Sequence, residues 1–220
     1  MLRTSGRITL SDGTGERLPV LAAVVPVGAR HQLRGLLSGC LMIYLEPDST
    51  TGRAMTQRLD ETGLDPRAAR SWVQAAAPVW QLGRQLPDGG PRAIADAVVR
   101  ELLGCEAPVA PPSLHPVLQH ALGVLPQLLP GVVRIQDLAA VVAYSPGRLG
   151  RLFADELGLS FPAYLRWLRM RRAIERVRSG DTLTDAAHAA GFTDSAHFNR
   201  VFNQMFGLSP RLVARGVEWG

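Results

Sequence analysis

Residues 135–160 read IQDLAAVVAYSPGRLGRLFADELGLS, and residues 183–209 read LTDAAHAAGFTDSAHFNRVFNQMFGLS. The two segments are one pattern written twice. Asp137 aligns with Asp185 and Ala139 with Ala187 at an offset of 48. Past one extra residue in the second turn, Arg151 aligns with Arg200, Phe153 with Phe202, Gly158 with Gly207 and Ser160 with Ser209 at an offset of 49. A repeat of this length, two apolar-periodic helices about a short turn, is the size of a helix-turn-helix unit.

Each copy specifies its own small core. In the first, Ile135, Leu138, Ala139 and Val142 share a helical face, and Asp137 suits the positive end of that helix. Ser145 and Pro146 open the next helix, Leu149, Leu152, Phe153 and Leu157 point inward, and Gly158 ends it. In the second, Leu183, Ala186, Ala187 and Ala190 face in, Gly191 makes the turn, and Asp194 caps a helix that buries Phe198, Val201, Phe202 and Met205 before Gly207. The first copy has Ala143 where the second has Gly191, so its turn is expected to be the more strained.

The helix between the copies changes sides. With Phe161 at 0° and about 100° per residue, Phe161, Tyr164, Leu165 and Leu168 cluster near 0°, whereas Met170, Ala173, Ile174 and Val177 cluster near 180°. A helix with one core partner keeps one stripe; this one serves two cores in turn. From Phe161 to Ser179 it is roughly 28 Å long at ~1.5 Å per residue. That is close to the ~34 Å between successive major-groove faces of DNA. Arg166, Arg169, Arg171, Arg172, Arg176 and Arg178 occupy much of its remaining surface.

The charge is distributed accordingly. All 24 basic residues of the 220 are arginine, and the formal charge is +5. Residues 1–112 carry 12 Arg against 11 acids, and residues 113–220 carry 12 against 8. An always-charged planar fork suits phosphates and base edges. Cys40 and Cys105 are too few for a disulfide framework or a cysteine zinc site. The N-terminus lacks a charged lead into an apolar run, and no stretch approaches the ~20 apolar residues of a membrane span. The reading is a cytoplasmic protein, nucleoid-associated through DNA, with no membrane partner.

Toward the N-terminus, Arg7–Leu10, Val20–Val25, His31–Leu37 and Cys40–Leu45 read as strands separated by turn residues. A helix opens at Asp65-Pro66 and is expected to run to about Leu86. A second begins at PDGG and Pro91, with Ile94, Val98 and Leu102 on one face. These apolar faces either cover the short sheet or pair across a dimer. Residues 105–113 read as a linker, and a helix from about Leu114 to Leu129 leads into the repeat.

The stretch from Leu114 to Arg215 resembles the DNA-binding domain of AraC/XylS-type transcription regulators. The residues carrying the likeness are S-P-G-R-L-G-R-L-F and E-L-G-L-S from Ser145, Y-L-R and R-A in the connector, and A-G-F-T-D-S-A-H-F-N-R-V-F with G-L-S-P from Ala190. Pro26 to His31 resembles the second cupin motif, P-x-G-x-x-H, and residues 18–53 resemble the last part of a small cupin barrel. The first half of such a barrel is missing. His31 has no metal-ligating companions, so it reads as a packing or surface histidine, and neither metal nor cofactor is expected.

These resemblances imply an α+β chain that is mainly α. Residues 1–104 would form a partial cupin-like segment with two helices, serving dimerisation or sensing; 105–113 a linker; 114–217 a two-subdomain, all-α double helix-turn-helix domain. They also imply two recognition helices entering successive major grooves. By alignment, base contacts fall on Arg151 with Gly147 and Gly150 in the first unit. In the second they fall on Ser195, Ala196, His197, Asn199 and Arg200. Backbone contacts fall on Arg148, Arg166, Arg169, Arg172 and Arg211. For each arginine the alternative is a phosphate contact or a surface ion pair.

The sequence departs from the family pattern at Asn203, where a lysine commonly stands, and at Val213 and Ala214 in the last helix. Expected partners are double-stranded DNA, RNA polymerase, a second copy through residues 1–104 and a small-molecule effector. The alternative is a truncated interaction protein that hetero-dimerises with a related regulator and binds DNA weakly. No catalytic triad, metal set or phosphate loop is present, so the chain is not read as an enzyme.

Overall fold

The polar turn over residues 12–16 sets the register of the first sheet. In the computed structural model, which describes residues 1–35, 39–82, 87–104, 111–207 and 209–210, β2 (Ile8–Asp12) pairs antiparallel with β3 (Arg17–Val20) so that Ile8 faces Val20 and Leu10 faces Leu18. On its other edge β2 pairs with β4 (His31–Arg34), placing Leu10 opposite Leu33. Ile8, Leu10, Val20 and Leu33 are buried, as period-two alternation requires of one sheet face. A second, two-stranded antiparallel sheet joins β1 (Leu2–Arg3) to β5 (Cys40–Leu41). The end of the expected His31–Leu37 strand, the helix end near Leu86, residues 105–110 of the linker and Arg211 lie outside the described residues.

The chain divides into two compact units, one built mainly from Met1–Pro111 and the other mainly from Pro112–Asn203. In the first, the expected strand over Val20–Val25 is replaced by a segment that leaves the sheet at Val20 to run beside β1. Arg3 N donates to Leu21 O (2.7 Å), Ala23 N to Met1 O (3.0 Å) and Val24 N to Trp72 O (2.9 Å). The expected Cys40–Leu45 strand is paired only at Cys40–Leu41.

Residues read as a barrel tail instead start a helix, α1 (Thr50–Glu61). Ser49 Oγ accepts from Gly52 N (2.9 Å) and donates to Glu46 O (2.7 Å), capping the first turn. The single helix expected from Asp65 is two pieces: α2 (Ala69–Ala75) and a 3-10 turn (Ala77–Val79). Pro78 has no amide hydrogen and its ring crowds the preceding turn, which ends the α-helical ladder. α3 (Gly90–Leu103) carries Pro91 in its first turn, as expected. Val79, Val98, Ile94 and Leu102 pack with Leu2, Ala22 and Leu41, so these helical faces cover the strands of their own chain.

Asp12 ties this unit together. Its carboxylate accepts from Thr14 N (2.9 Å), Thr14 Oγ1 (2.6 Å) and Glu16 N (3.2 Å) at the hairpin, and from Ala69 N (3.0 Å) at the start of α2.

The second unit is all helix: α4 (Pro116–Leu128), α5 (Ile135–Val141), α6 (Pro146–Leu157), α7 (Phe161–Arg178), α8 (Leu183–Ala189) and α9 (Ser195–Phe206). α4 packs on α5 and α6, α6 on α7, and α7 on α8. His115 Nδ1 accepts from Val117 N (3.2 Å) at the start of α4, and His115 N donates to Glu156 Oε2 (2.9 Å) on α6.

The connector α7 buries Phe161, Tyr164, Leu165 and Leu168, then Met170 and Ala173 on its other side. Phe153 packs edge-on to Phe161 (5.4 Å, 74°) and at a tilt to Tyr164 in the first core, and Phe192, Phe198 and Phe202 form the aromatic chain of the second. No helix among the described residues is long and apolar enough to cross a membrane.

Hydrogen bonds, with Thr14 Oγ1 foremost, hold the Asp12 pKa at about 2, below the ordinary 3.8. A depressed carboxylate pKa stabilises the fold above the unfolded value and loses that contribution as pH falls through the folded one. Amide protection of β2 and β3 should therefore decline between about pH 4 and pH 2, as read by hydrogen exchange. Asp12→Asn should remove that pH dependence, and Asp12→Ala should destabilise the unit by on the order of 3 kcal/mol, since four donors lose their acceptor.

Candidate nucleic-acid interface

Both repeats build the same turn. In the first, Tyr144 N donates to Ala139 O (2.9 Å); in the second, Phe192 N donates to Ala187 O (3.0 Å). Each turn needs one left-handed residue, Ala143 at φ 49° and Gly191 at φ 86°. Ala143 has the only positive φ of a non-glycine among the described residues, which places the strain where the repeat alignment puts it. Gly191 answers a second demand. A Cβ there would sit 2.6 Å from Pro130 O.

The turns deliver α6 and α9 with their N-termini capped by side chains. Ser145 Oγ accepts from Arg148 N (3.3 Å). Asp194 Oδ1 accepts from His197 N (2.6 Å), and that bond, with Thr193 and the nearby Arg200 charge helping, lowers the Asp194 pKa. Thr182 Oγ1 accepts from Asp185 N (3.1 Å) and donates to Asp185 Oδ2 (2.7 Å), closing the start of α8 in the same way.

With Leu149, Phe153 and Leu157 buried, α6 presents Gly147, Arg148 and Arg151 outward. Gly147 faces open space, but Gly150 lies against α5, because a Cβ there would be 3.3 Å from Ile135 Cδ1. Opposite Phe198, Val201 and Phe202, α9 exposes Ser195, Ala196, Asn199 and Arg200. His197 is half-buried, its ring edge-on to Phe192 (5.5 Å, 72°) and its Nδ1 3.3 Å from Thr193 Oγ1, so Nε2 is the nitrogen left for a ligand. The Asn203 amide bonds back to Asn199 O (3.0 Å).

The connector arginines divide into two kinds. Arg166 is exposed. Arg171 pairs with Glu175 (3.4 Å), and Arg176 pairs with Asp181. Arg169 Nη2 donates to Gly131 O (3.0 Å) and Arg172 Nη1 to Leu129 O (3.2 Å). Arg169 and Arg172, expected among the DNA backbone contacts, are here bonded to Leu129-Pro130-Gly131, a helix end whose carbonyls need donors. His31, for its part, has Nδ1 3.1 Å from Ala29 O, and burial lowers its pKa. No cluster of three metal-ligating side chains occurs among the described residues.

A helix-turn-helix domain family matches residues 138–216. The HTH-type transcriptional activator RhaR of Pectobacterium atrosepticum is 43% identical over 68 residues, which are 30% of this chain and 24% of that protein. The HTH-type transcriptional activator RhaS of Escherichia fergusonii is 34% identical over 102 residues, 46% of this chain and 37% of that protein. The bifunctional transcriptional activator/DNA repair enzyme Ada of Escherichia coli is 33% identical over 101 residues, 46% of this chain and 28% of that protein. The chain thus spans between 24% and 37% of the length of these relatives. The crystal structure of ToxT from Vibrio cholerae O395 shares the fold along 98% of this chain and 88% of its own, with a TM-score of 0.51 and 12% identity.

Two substitutions test the turns. Ala143→Gly should raise the stability of the second unit by roughly 1 kcal/mol, because glycine adopts the left-handed conformation without penalty. Gly191→Ala should lower it by more than about 2 kcal/mol, since the methyl meets a backbone carbonyl. Both are read as shifts in chemical denaturation of the full chain.

Proposed function

We propose that this chain, whose residues 138–216 match a helix-turn-helix domain family, is a sequence-specific DNA-binding transcription regulator of the AraC type. One observation carries the reading. Two copies of the same turn present polar, arginine-bearing faces on α6 and α9, joined by a connector that packs into both cores. Each recognition helix lies in a major groove, and the two grooves succeed one another on one face of the duplex.

Within this reading Arg151 and Arg200 offer bidentate donors to guanine O6 and N7, and Asn199 pairs with adenine N6 and N7. Ser195 and His197 Nε2 add single contacts. Arg148, Arg166 and Arg211 neutralise phosphates. Residues 114–217 act as the DNA-binding unit, tethered through 105–113 to residues 1–104, which serve dimerisation or sensing of a small molecule. The regulator then acts on RNA polymerase from its DNA site, which places it with the nucleoid. The reading as a weakly binding hetero-dimer partner is not favoured, since the relatives are named as transcriptional activators. We read the chain as a non-enzyme; its likeness to Ada covers 28% of that protein.

The two readers are unequal. α6 reaches toward DNA only with arginines flanked by Gly147 and Gly150, whereas α9 offers the mixed donor and acceptor set of Ser195, Asn199 and Arg200. Binding-site selection on the full chain should show Arg200→Ala and Asn199→Ala relaxing one half of the site, with a loss of about 1–3 kcal/mol of discrimination each. Arg151→Ala should blur a single guanine, and Arg148→Ala should weaken all sequences alike. Equal sequence information in the two half-sites would contradict the assignment. With about three phosphates neutralised, log K should fall with log[salt] at a slope of about −2.7; a slope shallower than about −2 would refute extensive backbone contact.

A further inference from the structure

The loop between α4 and α5 is held by parts of the molecule that follow it by 38 to 61 residues. Two of its three carbonyls accept arginine hydrogen bonds, and the third lies against the second turn. Leu129 O accepts from Arg172 Nη1 (3.2 Å), and Gly131 O accepts from Arg169 Nη2 (3.0 Å). Pro130 O lies so close to Gly191 that a Cβ at 191 would come within 2.6 Å of it. The same Cβ would stand 3.3 Å from Arg169 Nε, which is buried without a hydrogen-bond acceptor among the described residues. Burial also lowers the pKa of Arg169. Three segments therefore meet at one point: a loop of the first helix-turn-helix subdomain, the middle of the connector, and the turn of the second.

We propose that Arg169, Arg172 and Gly191 are positioning residues that lock the α4–α5 loop onto the second helix-turn-helix turn and so fix the distance and phase between the two recognition helices. The DNA consequence rests on the two-groove reading; the lock itself does not. The arginines are suited to this work because each presents a planar set of donors to carbonyls at the end of α4, where the helix leaves its last acceptors unpaired. Gly191 is suited because only a residue without Cβ allows the carbonyl of Pro130 to approach the turn. A connector helix packed at its two ends could still flex between its cores. A third contact at its middle removes that freedom. A body so locked matches one spacing of half-sites, because each inserted base pair moves the second groove by about 3.4 Å and turns it by about 35°.

The test uses the full chain with Cys40 and Cys105 replaced by serine and spin labels at Ala154 on α6 and Asn203 on α9. Both label positions are exposed and lie outside the residues assigned to bases. Without DNA, the label-to-label distance should be narrowly distributed in the wild-type background. It should broaden in Arg169→Met/Arg172→Met, which keeps the aliphatic bulk and removes the donors, while helical circular dichroism stays unchanged. An unchanged width overturns the lock. Should the double variant fail to fold, each single methionine variant retains one bond and should give an intermediate width, with the same unchanged outcome against it.

Duplexes taken from the binding-site selection supply the second arm. Insertion of one base pair between half-sites should weaken wild-type binding by about 100-fold, the loss of one reader's specific contacts, and the double variant by less than about tenfold. The salt slope should be the same for both proteins. A slope shallower by about 1.8 in the double variant, with spacing preference retained, would make Arg169 and Arg172 phosphate contacts and overturn the proposal. Absence of sequence-specific binding by the wild type would defeat the two-groove reading, and the distance measurement would still decide the lock.

Discussion

A single helix that must bury opposite faces at its two ends is the constraint on which the second unit depends. Phe161, Tyr164, Leu165 and Leu168 close one core with Phe153, while Met170 and Ala173 close the other across α8. Neither core is large. Each is a few helices around a handful of aromatics, too small to persist without the shared element. Because α7 belongs to both, its length and the half-turn between its stripes place the two helix-turn-helix units relative to one another. Local sequence periodicity thus passes directly into the geometry with which the protein meets a partner.

Charge is organised around that frame. The arginines of the connector and recognition helices are not one undifferentiated basic surface. Arg148, Arg151, Arg166 and Arg200 are exposed and project from the helices that carry the proposed interface, whereas Arg171 and Arg176 are paired with acids and Arg169 and Arg172 with main-chain carbonyls. A long side chain bonded within the protein contributes order, and one left in water contributes attraction to polyanions.

What the sequence made legible follows from how far each signal reaches along the chain. The repeat, the caps at Ser145 and Asp194, the buried aromatics and the strained Ala143 all depend on neighbours within a turn or two, or on alignment with the second copy. The contacts of Arg169 and Arg172 are made to carbonyls 38 and 43 residues away, which no periodicity reveals. In the first unit, the apolar face of α1 is sparse, with Ala54 and Met55 buried in an otherwise polar helix, so its periodicity is faint and its first residues, 50–53, read as the tail of a barrel. The spacing of Trp72 and Trp80 suggests a continuous helix, yet Pro78 between them carries the stronger local rule. The β-branched run from Val20 promised a strand in the sheet; the backbone of β1 captured it instead.

The central claim is that α6 and α9 act together on one face of DNA, one helical turn apart. Hydroxyl-radical footprinting of the full chain on a selected duplex measures this most directly. The account predicts two protected patches on each strand, centred about 10 base pairs apart and lying on the same side of the helix. A single protected patch, or two patches on opposite sides of the duplex, would contradict it.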